Sequence, residues 1–307
     1  MLTILTTSVA KPLVKWAGGK GKVLPEIIRR LPAGLAQGRI TSYAEPFIGG
    51  GPVFFYLAQR YDFERLLIGD ANEDLFLTYT AVREAPEALL AQLAHLQNAY
   101  NGLTPEEQAA FYYQTRTDFN LHRAHWNYAA FEACWPRRAA QLLFLNRTCF
   151  NGLYRMNSRA EFNVPFGKYR SVNLCVPENL WAVSQILQRT HIQCGDFSTS
   201  SGFADERTFV YLDPPYRPLT ATASFTSYAR LAFAEAEQLR LAAYFRQLHE
   251  RGSSVMLSNS DPFSASGDDF FECLYAGFTF SRLLAKRAIN ANGANRGPVS
   301  ELLITNY

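Results

Sequence analysis

The chain contains no run of about 18 apolar residues, the length a helix needs to cross a bilayer, so no membrane span is expected. Its opening, MLTILTTSVAKP, is too polar and too short for a secretory signal, and a soluble, cytoplasmic protein is expected. Cysteine is scarce. The five residues Cys134, Cys149, Cys175, Cys194 and Cys273 form no CxxC pair and no regular framework, which argues against a disulfide scaffold and suits reduced thiols. His122 and His125 share a helix face but have no evident third and fourth ligand, so no metal site is expected. Internal repeats and low-complexity tracts are absent. The Gly-Lys pairs at Gly19-Lys20 and Gly21-Lys22 lack both the glycine five residues earlier and the following Ser/Thr, which excludes a Walker A loop.

What is present is apolar and aromatic. With 307 residues, 48% of them hydrophobic, the chain can bury one large core or a core plus a smaller lobe. Aromatics make up 14%, enough to fill a core and leave rings to stack on nucleobases. The net charge of +3 conceals an asymmetry. From Arg116 to Arg170 nine Lys/Arg face three acids, so that window is +6 and the remainder −3. A basic segment in an otherwise acidic chain suits a polyanionic partner, although a solvated basic face is the commoner explanation of charge alone. If the window tracks phosphates, neutralising Arg137 and Arg138 is expected to flatten the salt dependence of binding.

Three short apolar runs end in polar or Gly-rich corners. Ile40–Glu45 leads into Pro46-Phe47-Ile48-Gly49-Gly50-Gly51, Leu66–Gly69 ends at Asp70, and Thr208–Leu212 ends at Asp213-Pro214-Pro215-Tyr216. Each reads as a buried strand followed by a helical pattern, and in open α/β sheets ligands sit outside the carboxyl ends of strands. A helix over about Arg230–Arg251, strands at Ser253–Ser258 and Glu301–Tyr307, and a long helical stretch over about Ala81–Leu145 complete the expected elements.

Glycines let backbone approach a ligand closely, and an acid 19 residues after Gly51, Asp70, is placed to accept ribose hydroxyls. Alone this indicates only a nucleoside-containing cofactor, and a plain turn explains it equally well. The Asp-Pro-Pro-Tyr string is more demanding. The lone pair of an exocyclic base amine is delocalised into the ring. A carboxylate and a free backbone carbonyl can accept its two N–H groups and turn the lone pair outward, while successive prolines leave a carbonyl unpaired and a tyrosine ring stacks on the base.

Taken in order, Lys15–Lys20 (KWAGGK), Glu45–Gly51 (EPFIGGG), Asn146–Tyr169, Asp196-Phe197, Asp213–Tyr216 (DPPY) and Phe225–Tyr228 (FTSY) resemble the Dam family of DNA adenine-N6 methyltransferases, of D12 type and α arrangement. The resemblance runs from about Lys11 to the last residues and is carried most specifically by KWAGGK and by NGL…R…EFNVPFG. It implies a doubly wound, Rossmann-like methyltransferase fold in two pieces, 1–76 and 176–307, with a mainly helical recognition domain inserted at 77–175. It implies S-adenosylmethionine as methyl donor, with S-adenosylhomocysteine as product. Trp16, Lys20, Phe47, Gly49, Gly51, Asp70, Asp196 and Phe197 would bind it, and Asp213 would lie between it and the target amine.

Pro214 would supply the carbonyl and Tyr216 the stacking ring. Arg155 matches an arginine that reads guanine, Leu153 and Pro165 match apolar base contacts, and Lys15, Asn151 and Tyr169 fall on DNA-contacting positions. Phe150 stands where relatives often carry a wedging tyrosine; it keeps the ring and loses the hydroxyl. The implied substrate is double-stranded DNA, within GATC, with the adenine flipped out of the duplex. A monomer is expected, in a bacterial cytoplasm or phage-encoded, and a cognate restriction endonuclease is the further partner to look for. Methylation of RNA or of cytosine N4, and a DNA-binding repressor without activity, are the rival readings.

Overall fold

The computed structural model of the chain describes residues 9–16, 18–121, 128–217, 233–286 and 298–307. Strands β1 (Ser42–Glu45), β2 (Arg65–Asp70), β3 (Thr190–Cys194), β4 (Thr208–Leu212), β5 (Ser254–Ser260), β6 (Thr279–Lys286) and β7 (Pro298–Thr305) form one seven-stranded sheet in the order β3-β2-β1-β4-β5-β7-β6. β1 runs parallel to β2 and β4, and β4 parallel to β5, whereas β7 is antiparallel to both of its neighbours. Every residue of β1 and β4 is buried, as a strand covered on both faces requires. Strand order reverses between β1 and β4, and the register Ala44↔Val210 sets their carboxyl ends side by side. That is the switch point at which doubly wound sheets open a ligand crevice. The expected mixed α/β methyltransferase-like fold is therefore present.

The chain divides into two compact units, Met1–Gly19 with Gly49–Arg60 and Asp70–Gly195, and Lys20–Ile48 with Tyr61–Gly69 and Asp196–Tyr307. The first holds β3 and the helices α3 (Pro52–Arg60), α4 (Glu73–Glu84), α5 (Pro86–Asn101), α6 (Pro105–Leu121), α7 (Trp135–Thr148) and α8 (Pro177–Gln188). One of its cores gathers Tyr100, Tyr112, Phe119, Leu142, Phe144, Leu145, Phe162 and Val164. The helical stretch expected over Ala81–Leu145 is thus interrupted. Pro86 and Pro105 open new helices because proline suits the first turn and breaks an interior one. At the second of these, Thr104 and Glu107 form a reciprocal capping box.

The second unit holds the other strands, the short helices α1 (Leu24–Ile28), α2 (Ala33–Ala36), α10 (Pro262–Ser266) and α11 (Phe270–Leu274), and α9 (Glu235–Glu250). Its core packs Val210, Leu212, Leu241, Phe245, Val255, Leu257, Tyr275, Leu302 and Ile304. β4 spans the residues expected of it, and β5 begins one residue late. The last strand begins at Pro298 rather than Glu301. β3 and β6 were not expected. Both mix apolar with polar residues, THIQC and TFSRLLAK, and each is an end strand of the sheet. His122, His125 and Phe225–Tyr228 lie outside the described residues. Among the described residues no helix is long and apolar enough to cross a membrane.

Candidate active site

At the carboxyl end of β4, Asp213 Oδ1 receives an ion pair from Lys20 Nζ at 2.9 Å. Lys20 is only 3% exposed. A buried ammonium needs such a partner, because an unpaired charge there carries a large desolvation cost. The same ammonium lies 4.5 Å from the centroid of the Tyr216 ring, within cation–π range. The Tyr216 hydroxyl donates to Glu301 Oε2 at 3.0 Å. Burial pushes the Asp213 carboxyl up to about 6, Lys20 opposes that rise, and Glu301 adds to it. Burial also raises the Tyr216 phenol, with Asp213 and Glu301 adding to the effect. Replacing Lys20 by methionine should therefore move the Asp213 pKa further up, which a carboxyl-carbon NMR titration reads directly. A constant or falling value would mean that Lys20 does not set the charge state of Asp213.

In the same unit Phe47 and Phe197 pack with centroids 5.4 Å apart, and Phe47 also meets Phe233 edge-on. Asp196 precedes Phe197 and caps its helical turn by accepting from the Ser198 amide. Burial would raise its pKa, but hydrogen bonds from Ser198 and Arg240 hold it below the usual value. Arg240 bridges the pair, with Nη2 2.9 Å from Asp196 and its guanidinium 5.1 Å from the Phe197 ring centroid. Such a cluster offers an apolar aromatic wall beside a carboxylate that can accept hydrogen bonds from an amino group.

The other unit carries the Gly-rich corner. Gly49 adopts φ +47°, and a Cβ there would stand 2.7 Å from the Trp16 indole, so only glycine admits this contact. The Gly49 amide donates to Asp70 Oδ2 at 3.0 Å, its carbonyl accepts from Tyr79 Oη at 2.8 Å, and Asp70 Oδ1 accepts from the Asn72 amide. Gly51, at φ +70°, leads into α3. Burial pushes Asp70 up to about 6 despite backbone donors from Asn72, Gly49 and Ala71. Each carboxylate oxygen has two lone pairs, so both can still accept a diol.

Sequence reasoning also singled out the segment Asn146–Tyr169, which the structure folds into a loop and a bridged hairpin beside Lys15. Asn146 clamps both: it accepts from the Lys15 amide at 2.7 Å and donates to the carbonyls of Lys15 and Gly152 at 2.8 and 3.1 Å. A Cβ at Gly152 would stand 2.6 Å from the Lys15 chain, and Asn151 adopts φ +57°. Lys15 Nζ lies 5.4 Å from the centroid of the Tyr169 ring, and Tyr100 Oη holds the Tyr169 carbonyl. Phe150 is 52% exposed, a large ring presented to solvent. Asn151, Arg155 and Pro165 are exposed too, whereas Leu153 is half-buried against the core of this unit. Arg155 is braced across the hairpin by Asn163, with Nε 2.8 Å from Oδ1 and Nη2 3.3 Å from the carbonyl oxygen.

One sequence expectation is corrected. Arg138 is 1% exposed, its Nε and Nη2 3.0 and 2.8 Å from Asp74 Oδ1, with Nη1 on the Phe119 carbonyl. A side chain so enclosed does not track phosphates; its charge is consumed by Asp74. Sequence reasoning missed Glu301, Arg240 and Tyr154, whose hydroxyl donates to Asp74 Oδ2 and whose ring lies 5.0 Å from Trp16. Nothing local marks Glu301. Its role follows from the pairing Ser260↔Glu301, which brings β7 alongside the end of β5.

Comparison with known proteins agrees with this chemistry. The model of D12 class N6 adenine-specific DNA methyltransferases matches residues 16–289. The chain is 44% identical over 298 residues to a type II methyltransferase, M.MjaIII, of Methanocaldococcus jannaschii, covering 97% of this chain and 99% of that one. It is 35% identical to the DNA adenine methylase of Escherichia coli K12, covering 95% and 94%. To the DNA N-6-adenine-methyltransferase of Escherichia phage P1 it is 34% identical, over 95% of this chain but 35% of the phage protein. An acid followed by two prolines and a tyrosine at a sheet switch point, and a family match across nearly the whole chain, lead to one conclusion: this chain belongs to the D12 class of N6 adenine-specific DNA methyltransferases.

Proposed function

We propose that the chain transfers the methyl of S-adenosylmethionine to N6 of an adenine within GATC in double-stranded DNA. The observation that carries this reading is Asp213 at the end of β4, beside Tyr216 and paired with Lys20. S-adenosylmethionine, when bound, supplies an electrophilic sulfonium methyl. The residues present suit it. Asp70 would accept the ribose hydroxyls, Gly49 and Gly51 would let the backbone approach closely, and Trp16 and Lys20 would contact the ligand. Asp196, Phe47 and Phe197 would take its adenine. No metal is required.

The target adenine leaves the stack before reaction, because N6 is inaccessible while paired. Asp213 and the Pro214 carbonyl then accept its two N–H groups, which directs the nitrogen lone pair outward, and the Tyr216 ring stacks on the base. Catalysis is largely positioning. Asp213 must be ionised to accept, and its pKa is raised to about 6, so kcat should fall as pH drops through that value. The functional division is a catalytic domain, 1–76 and 176–307, with a recognition domain at 77–175. In the latter Arg155 reads guanine, Leu153 and Pro165 touch bases, Phe150 wedges into the duplex, and Asn151 and Tyr169 contact DNA, as does Lys15 of the catalytic domain.

The exposed cations Arg137, Lys168 and Arg170 track phosphates. Replacing all three by glutamine should flatten the slope of log K against log salt by roughly 0.9 for each phosphate no longer neutralised. Replacing Arg138 should instead destabilise the fold by about 3–5 kcal/mol, since it would remove the buried cation that neutralises Asp74. An unchanged slope in the triple variant would assign those three side chains to solvent.

The enzyme acts as a monomer in a prokaryotic or phage-infected cytoplasm, where its DNA lies. The type II name of two relatives supports a cognate endonuclease. The test of the reading is incubation with labelled S-adenosylmethionine and plasmid, nucleoside separation, and challenge with endonucleases that cleave GATC. Label in N6-methyladenine with protection at GATC is expected. Label in N4-methylcytosine would overturn the reaction, and unprotected GATC would overturn the site.

A further inference from the structure

We propose that Gln238 and Asn259 form a buried amide relay that fixes the backbone on both sides of Tyr216, making them positioning residues for methyl transfer. This rests on the assignment of Asp213–Tyr216 as the catalytic corner. Both side chains are 0% exposed. Gln238, in the first turn of α9, donates from Nε2 to the Pro215 carbonyl at 3.2 Å. Asn259, on β5, donates from Nδ2 to Gln238 Oε1 at 3.1 Å and accepts the Arg217 amide on Oδ1 at 3.2 Å. Pro215 and Arg217 are the residues on either side of Tyr216.

The direction of the relay is forced by its two ends. Arg217 offers an N–H, so Asn259 must turn its oxygen that way and its amino group toward Gln238. Pro215 offers only a carbonyl, so Gln238 must turn its amino group there and its oxygen toward Asn259. A primary amide is the side-chain group that gives and accepts with the same planar head, and each amide here does both. Asn259 Oδ1 is steadied further by the Ser260 amide at 2.9 Å, and Ser260 Oγ donates to the Arg217 carbonyl at 2.7 Å. With Glu301 on the Tyr216 hydroxyl, the ring is held at its tip and at both ends of its backbone. Buried polar chains of this kind are effective only when complete, because a half-satisfied one leaves groups desolvated without partners.

The relay predicts a particular kinetic signature. Gln238→Met keeps the volume and removes both polar groups. Asn259→Asp keeps the acceptor for the Arg217 amide but loses the donor, so Gln238 loses its reason to face Pro215 correctly. Each variant should lower kcat at least tenfold while the KM values for cofactor and DNA stay within about twofold. The double variant should be no slower than the worse single one, because both break one chain. Circular dichroism and DNA affinity identify folded protein, and Asn259→Asp carries the test if Gln238→Met does not fold. Folded variants with kcat within twofold of wild type, or with fully multiplicative effects, would overturn the relay. Asp213→Ala is measured alongside. If that variant keeps its turnover, the catalytic assignment itself fails; if it is inactive while the amide variants are fast, only the relay fails.

Discussion

Replacing Asp213 by alanine should abolish nearly all turnover while duplex binding persists. In the proposed reaction the carboxylate is the acceptor that orients the target amine. Its side chain is 20% exposed, within reach of a ligand yet still held by the buried Lys20 ammonium. Alanine removes the acceptor and takes the carboxylate away from that ammonium, so the loss combines a missing interaction with an uncompensated charge in the corner. Asp213→Asn separates the two. It keeps a carbonyl oxygen that can accept from Lys20 or from the amine, but it carries no charge and presents an amino group as well. Turnover should therefore fall in the order aspartate, asparagine, alanine. Single-turnover rates with saturating DNA and cofactor measure it. An alanine variant keeping more than about a tenth of the rate, an effect below ~1.4 kcal/mol, would mean that Asp213 is not the orienting group.

Arg155→Ala should narrow sequence discrimination rather than weaken binding uniformly. The guanidinium is exposed at one end of a hairpin and braced by Asn163 through Nε and one terminal nitrogen, an arrangement that fixes its plane. A planar fork held in this way suits the O6/N7 edge of guanine, where a bidentate pair discriminates by about 1–3 kcal/mol. The ratio of kcat/KM on GATC to that on sites altered at the guanine should shrink by roughly ten- to a hundredfold. An arginine on phosphate would depress all sequences alike. Measurement on GATC and each singly substituted duplex at one fixed salt concentration separates these outcomes. An equal loss everywhere would make Arg155 a backbone clamp and would remove the main support for GATC as the target.

The elements that sequence reasoning located are those whose signal is local. Thr208–Leu212 is an unbroken apolar run closed by an acid and two prolines, and it forms a strand over those residues. Gly49 is legible because a positive φ and the approach of an indole both demand glycine. What escaped depends on pairing between distant residues. Lys20 and Asp213, Tyr216 and Glu301, and Gln238 and Asn259 become neighbours only through sheet order and helix docking. Arg137 and Arg138 make the same point within one helix. They are adjacent and chemically identical, but about 100° of helical rotation exposes one and buries the other. Net charge over a window cannot distinguish a cation offered to solvent from one consumed by an interior acid.

The antiparallel strand β7 gives the catalytic corner a place in time as well as in space. It leaves the ribosome after the other six strands, yet it inserts between β5 and β6 instead of adding to an edge. It also brings Glu301 to the Tyr216 hydroxyl. A chain without β7 therefore lacks the strand that sits between β5 and β6, and its Tyr216 hydroxyl lacks Glu301. A chain halted before Pro298 would carry the Gly-rich corner and the Asp-Pro-Pro-Tyr string and still lack the acceptor of the Tyr216 hydroxyl.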